Sequence, residues 1–389
     1  MTRSLRSTQY LAFVALGYAQ CVVGPILPSI QREIPMSDWR AGLLGAGQFI
    51  GLLIVGLLGG PLADRFGKKR FVIAASVLLA AGLVGYTLAP SFWPLLLTAV
   101  VTGLGGGGYE VGVNALQADH AGETDSGHGM SLLHAFYGIG AVIAPFVVQV
   151  ALGQGLGWRP ALVTAALLPI AVAAALGRQQ VGAGRATPEA PAGDLFLRGA
   201  LWLCGLLFLL YVAIEMSIGT WISTYWTRRA AGNVVPAALM SSIFWGTLTA
   251  VRLVVGRLAD RIGHLRFLAV SAALVLLFGG LWAAAPTPAV TLAAVVALGA
   301  ALAGVYPTAM ALATDAFPGH SGKVVAFLSA FVATGGLLLS GVGRLSDLSD
   351  ARDMGVLPPA VVAGGVLLLG TILAIRLPRP AAKVTPAAP

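Results

Sequence analysis

Residues 60–70 read GPLADRFGKKR, and residues 256–266 read GRLADRIGHLR. Gly60, Leu62, Ala63, Asp64, Arg65 and Gly67 are matched by Gly256, Leu258, Ala259, Asp260, Arg261 and Gly263 at a constant spacing of 196 residues. The same spacing pairs Asp119 with Asp315 and Gly140 with Gly336. Between the two copies lies RQQVGAGRATPEAPAGD, beginning at Arg178, whose Gly, Pro, Ala and charges read as a linker. The pattern predicts one unit used twice: a first half over 1–178, a linker over 179–195 and a second half over 196–389.

Composition says where such a chain lives. Of 389 residues, 57% are apolar or aromatic and only 10% charged, too few charges to cover a water-soluble surface. Apolar runs of membrane-spanning length recur to the end, at about 9–30, 40–62, 71–90, 92–117, 129–151, 159–177, 197–222, 235–258, 266–285, 289–312, 324–343 and 357–377. They are too long and too continuously apolar for barrel strands. The expected fold class is an all-α membrane protein with twelve transmembrane helices in two six-helix bundles.

The loops then orient the chain. With twelve spans and an internal N-terminus, sixteen Lys and Arg fall on internal segments and seven on external ones, a bias that predicts an inner-membrane protein with both termini cytoplasmic, in a bacterial cell. Basic residues ahead of the first apolar run resemble a secretory signal, but no small-x-small cleavage site closes a short core, so a retained first span is expected. Cys21 and Cys204 both fall inside spans, which leaves no disulfide framework and no metal site. No cofactor is expected, and the basic residues are too dispersed for a nucleic-acid surface; the partners expected are a small solute, a coupling ion and membrane lipids.

Ionisable groups inside spans are costly and so point to a cavity or a partner. Glu110 and Glu215 are the acids placed clearly within spans, and Arg252 is the base. Glu110, Asn114 and Gln117 form a stripe on the fourth span, after Gly105–Gly108; Tyr211, Glu215, Gly219 and Ser223 form another on the seventh. Trp221 suits stacking against a flat, amphipathic ligand, and Trp245 shares nearly one face with Arg252. His134 and Tyr137 add polar groups on the fifth span, and Gln20 on the first. Each has a plainer alternative, a hydrogen bond that holds two helices together. Arg252 lies four residues before Gly256, within reach of the internal boundary, so an ion pair, an anionic ligand and an internal gate are all open to it.

Gly60, Leu62, Asp64, Arg65, Gly67, Lys68 and Lys69 resemble the loop signature G-x-L-x-D-R-x-G-[RK]-[RK] of the major facilitator superfamily, and the second copy keeps five of its positions. The resemblance covers essentially the whole chain. It implies alternating-access transport, with Gly60, Asp64, Arg65, Gly67, Lys68, Gly256, Asp260, Arg261 and Gly263 as gating residues; Arg252 joins them as a gate candidate from its place in the eighth span. Within that family, Glu110 with Asn114, and Phe136, Gly138, Gly140 and Pro145, are similar to the fucose-permease-like group. The chain departs from that group in having no acid between Tyr10 and Ile30, where Tyr18 and Gln20 are the polar residues.

The resemblance implies a secondary transporter for a small polar solute, a sugar first, coupled to protons or sodium through Glu110 and Glu215. Substrate contacts are expected from Glu110, Asn114, His134, Tyr137, Glu215, Trp221, Trp245 and Gln20. An efflux antiporter for amphipathic compounds or lipids is the competing class, favoured by eight tryptophans. No nucleophile-base pair, phosphate loop or metal cluster supports an enzyme.

Overall fold

The computed structural model describes residues 3–120, 126–180, 193, 195–229, 235–317, 320–349 and 353–375. Most of the expected linker lies outside that set, as do Arg376, Arg379, Lys383 and the side chain of Asp119. The first six spans are Arg3–Cys21 continued by Val23–Glu33, then Asp38–Phe66, Lys68–Leu88, Phe92–His120, Ser126–Gly153 and Arg159–Arg178. The second six are Gly199–Arg229, Ala237–Ile262, His264–Ala283, Pro288–Leu302 continued by Val305–Ala316, Ser321–Leu337 continued by Leu339–Leu348, and Leu357–Ala374. Eleven of these helices are long and apolar enough to cross a membrane among the residues described, and Phe92–His120, 29 residues long, completes the twelve.

The duplicated loops fold alike. Phe66 and Ile262 each end a helix, Lys68 and His264 each begin the next, and one glycine joins each pair: Gly67 has φ 87° and ψ 132°, Gly263 φ 89° and ψ 139°. Only glycine adopts that backbone without strain, which is why both copies keep it. Three spans are interrupted for local reasons. In the first, Pro25 lies four residues after Cys21 and cannot donate the usual helical bond to it. The tenth breaks at Ala303 and Gly304, ahead of Pro307, and the eleventh at Leu338, after Gly335 and Gly336.

Within the first bundle the second and third spans pack on the fourth, and the first on the fifth and sixth; within the second bundle the seventh packs on the eleventh and twelfth, and the ninth on the tenth and twelfth. Large apolar side chains such as Leu88, Trp93 and Leu197 are exposed on the outside, as hydrocarbon-facing groups must be. Between bundles the second span meets the eleventh, the fifth the eighth, and the first the seventh. The face bearing residues 60–70 and 256–266 is here called inner, and the opposite face outer.

A polar seal joins the bundles at the outer face. Arg228 of the seventh span donates from both terminal nitrogens to Asp38 at the head of the second, each at 2.7 Å. Gln31 and Ser346, from the first and eleventh spans, add bonds of 2.9 and 2.8 Å to the same carboxylate. Asp347 in turn caps the second helix from the other bundle, accepting from the N–H groups of Asp38 and Trp39 at 2.9 Å each. Just below, the backbone at Gly42 approaches Leu339 and Ser340 so closely that a side chain there would collide.

Charge-assisted bonds of this kind are worth about 1.5–3 kcal/mol each. Asp38→Asn should therefore loosen the seal and raise the rate at which a membrane-impermeant maleimide labels Ser340→Cys from the outer face. The background replaces Cys21 and Cys204 with serine, and the expected rise is about tenfold, the equivalent of about 1.4 kcal/mol. Glu33→Gln, on the same face but paired within its own bundle to Arg159, should leave the rate unchanged. An unchanged rate in Asp38→Asn would remove this carboxylate from the seal.

Candidate functional site

The second bundle holds its buried acid in a network of its own side chains. Glu215 is 5% exposed and Tyr211, one turn earlier on the seventh span, donates its hydroxyl to Glu215 Oε1. Arg252 of the eighth span reaches the same oxygen at 3.4 Å and the Tyr211 hydroxyl at 3.1 Å through one terminal nitrogen. Its Nε donates to the carbonyl of Ala303, at the break in the tenth span, at 2.9 Å. Of the roles that spacing left open to Arg252, the geometry shows an ion pair directed away from the inner loop. A charge in an apolar bundle is held where an opposite charge and a free carbonyl receive it.

The first bundle contributes a more open set. Glu110 is half-buried, and Asn114 stands one turn on along the same face; Asn114 Oδ1 has no partner among the described residues. Tyr137 donates its hydroxyl to Gln20 Oε1 at 2.8 Å, joining the fifth span to the first. Beside Gln20 lies a narrow, mostly apolar cavity that also touches Gln48, whose buried Nε2 has no partner among the described residues. His134 sits edge-on to Phe13, with ring centroids 5.3 Å apart, and faces Tyr306 of the tenth span at 5.9 Å.

Tyr306 is where the bundles converge. Its hydroxyl is within electrostatic reach of Glu110, Glu215 and Arg252, and Tyr137 likewise feels both acids. Glu110 and Glu215 therefore bear on one centre from opposite bundles without touching each other. Tyr306 was not singled out from the sequence, although the repeat points to it: it stands 196 residues after Glu110. Asp38 was missed as well, because it opens a span instead of lying within one.

The two tryptophans lie elsewhere. Trp221 is fully buried and donates to the Leu339 carbonyl at 3.2 Å, at the outer seam against Gly42. Trp245 is buried against Gly219, with its Nε1 unpartnered among the described residues. Gln117 is buried in helix packing, and Gly105 and Gly108 meet Leu79 and Ala75 of the third span. At the inner face Asp64, Arg65, Asp260 and Arg261 are exposed, as are Gly67 and Gly263. Gly60 and Gly256 have open space where a side chain would stand. Lys69 donates to the carbonyls of Gly177 and Gln179, at 3.3 and 2.6 Å, at the end of the sixth span. Lys68 is half-buried, and His264 Nε2 lies 3.6 Å from Asp260.

Two six-helix bundles that bring polar side chains together in their interior, sealed on one face, define a multi-pass membrane protein. The family model of the Major Facilitator Superfamily matches residues 10–340 and 234–389, and the chain belongs to that superfamily. It is 25% identical over 283 residues to the sodium-dependent glucose transporter 1A of Mus musculus, across 62% of this chain and 66% of that protein. To a gallate transporter of Pseudomonas putida it is 24% identical, across 91% of this chain and 83% of the relative. The crystal structure of a D-xylose-proton symporter superposes with a TM-score of 0.77 at 16% identity, covering 94% of this chain and 96% of the other, a likeness of fold. The chain spans only 33% to 66% of the length of the curated sugar transporters it matches.

The Glu215–Arg252 pair yields a stability test. Removing one member of a buried pair strands the other charge and costs about 3 kcal/mol or more, whereas removing both is far cheaper. Arg252→Met should lower the thermal unfolding temperature in detergent well below that of the double variant Glu215→Gln/Arg252→Met. A double variant no more stable than the single one would show that the two charges are not coupled.

Proposed function

We propose that this chain is a secondary active transporter that moves a small polyhydroxylated solute, a sugar first, by alternating access. The observation that carries the reading is Tyr306, whose ring meets His134 of the first bundle and Tyr211 of the second at centroid distances of 5.9 and 6.2 Å. A solute placed there would touch both halves at once, so its binding would bias how they pack. Glu110, Asn114, His134, Tyr137 and Gln20 supply contacts from the first half, and Tyr306 and Glu215 from the second. Trp221 and Trp245 support the site by packing. The names of the relatives agree with the chemistry: glucose, xylose and gallate all carry several hydroxyls for such groups to bind.

Glu110 and Glu215 are the coupling residues. A protonated carboxyl donates to a solute hydroxyl, and its loss of the proton after reorientation removes that donor. Proton coupling is preferred to sodium because Arg252 and Tyr211 both bind Glu215 Oε1, where a cation would have to compete with a guanidinium. The halves are 1–178 and 196–389, joined by 179–195. The excess of basic residues on internal segments supports an inner face and both termini in the cytoplasm of a bacterial cell, with the outer seal facing away from it. The repeated loops act at the inner face as gate elements, closing when the outer seal opens.

Vesicles reconstituted with the protein test this. Uptake of labelled xylose or glucose should rise at least severalfold with an inward proton gradient and be indifferent to sodium. Glu110→Gln and Glu215→Gln should each abolish accumulation against a gradient while sparing downhill exchange. Accumulation that follows sodium, or that survives both substitutions, would contradict proton coupling; absence of uptake of any polyhydroxylated solute would contradict the transport reading itself.

A further inference from the structure

The tenth span is the repeat counterpart of the fourth, yet only the tenth is interrupted. At the 196-residue spacing Ala303 and Gly304 correspond to Gly107 and Gly108, through which the fourth span runs as one helix. The difference lies four residues on. Pro307 has no N–H, so the carbonyl of Ala303 loses the helical donor it would otherwise receive, and the proline ring crowds it as well. The tenth span ends its first segment there and restarts at Val305. A carbonyl orphaned within a bundle must find another donor or lose stability.

The donor is Arg252 Nε, at 2.9 Å. A guanidinium suits the place twice over, as a hydrogen-bond donor and as a cation at the negative end of a helical segment. One terminal nitrogen of the same guanidinium is committed to Glu215 and Tyr211. One side chain thus ties a carboxylate on the seventh span to the break in the tenth. Three residues past Ala303 stands Tyr306, which packs on His134 of the other bundle and edge-on to Phe208, with ring centroids 5.9 and 5.1 Å away. In the first half the position matching Arg252 is Gly56, so nothing equivalent exists there.

We propose that Arg252 is a strut between Glu215 and the proline break of the tenth span, so that the charge on Glu215 decides whether the segment carrying Tyr306 is held or free to bend. The proposal rests on reading Glu215 as a coupling acid. With Glu215 ionised, the guanidinium is drawn to it and keeps its Nε on Ala303. When Glu215 takes up a proton from solvent, the attraction goes. The groups facing Glu215 are then Tyr211 on its own helix, Arg252, Tyr306, and, from the first bundle, Tyr137 and Cys21. Ala303 is left unpaired, and the break bends. Arg252 is in this sense a positioning residue, acting on the site through the tenth span.

Hydrogen–deuterium exchange of the protein in lipid nanodiscs reads this without any solute. Relative to the wild type, Glu215→Gln should speed exchange of the backbone amides from Ala303 to Thr308 about tenfold, and Arg252→Lys, which keeps the charge but lacks the second donor position, should do the same. In the wild type, exchange in this segment should also quicken on acidification after correction for the intrinsic pH dependence, and in Glu215→Gln that response should vanish. Pro307→Ala restores the missing N–H, so both Pro307→Ala and Pro307→Ala/Glu215→Gln should exchange slowly at either pH. Amides 105–112 of the fourth span serve as the control and should not change. Exchange at 303–308 that ignores Glu215→Gln and Arg252→Lys, or that quickens equally with Pro307→Ala present, would overturn the proposal. Solute uptake is measured separately: a responsive tenth span without transport would refute the function proposed above and leave the strut standing.

Discussion

A guanidinium shared between a carboxylate and a peptide carbonyl, deep in an apolar bundle, is the arrangement on which the centre of this structure depends. Neither Glu215 nor Arg252 is tolerable alone in such surroundings, and Ala303 has been deprived of its helical donor by Pro307. Each of the three answers a deficit in the others: Arg252 neutralises Glu215 and satisfies Ala303 in one geometry. The seventh, eighth and tenth spans are fastened together by this one side chain, and Tyr306 is carried to the boundary with the first bundle as a result.

The duplication explains both the likeness of the halves and the asymmetry of the site. Backbone features survive the repeat, most plainly the glycine conformations at 67 and 263 that turn one helix into the next. Central side chains do not. The repeat counterpart of Glu110 is Tyr306, and Gly56 stands where the second half has Arg252. One bundle thus presents a half-buried acid beside Asn114, and the other presents a phenol with its acid withheld behind an arginine. The outer seal has the same economy: Asp38 and Asp347 each serve the opposite bundle, so separating the halves there breaks every bond that the two carboxylates make across the seam.

Much of the fold was legible in the sequence because hydropathy, span length and the repeated loop are local signals, and the observed helices follow the expected runs to within several residues. The site was legible in part. Glu110 and Glu215 stood out because an acid inside a membrane span is expensive, and Asn114 followed from helical spacing. Their partners were harder to read: which side chain meets Glu215 depends on the relative rotation of three helices, and nothing local to Arg252 distinguishes reaching an inner loop from reaching across a bundle. Trp221 illustrates the same limit, since a tryptophan near a span end serves as anchor, ligand contact or packing, and the close approach of Gly42 to the eleventh span is a tertiary fact. Tyr306 carries no anomaly of its own and becomes visible only when the repeat is laid over Glu110.

The most direct test is a cryo-electron microscopy map of the protein with a transported polyhydroxylated solute bound. Density for the solute between Glu110 and Tyr306, contacting both bundles, with Arg252 still bridging Glu215 and the broken tenth span in the inward-facing form, is the predicted result. Solute density confined to one bundle and remote from Tyr306, or a tenth span running unbroken through Ala303 with Arg252 turned to the inner loop, would contradict it.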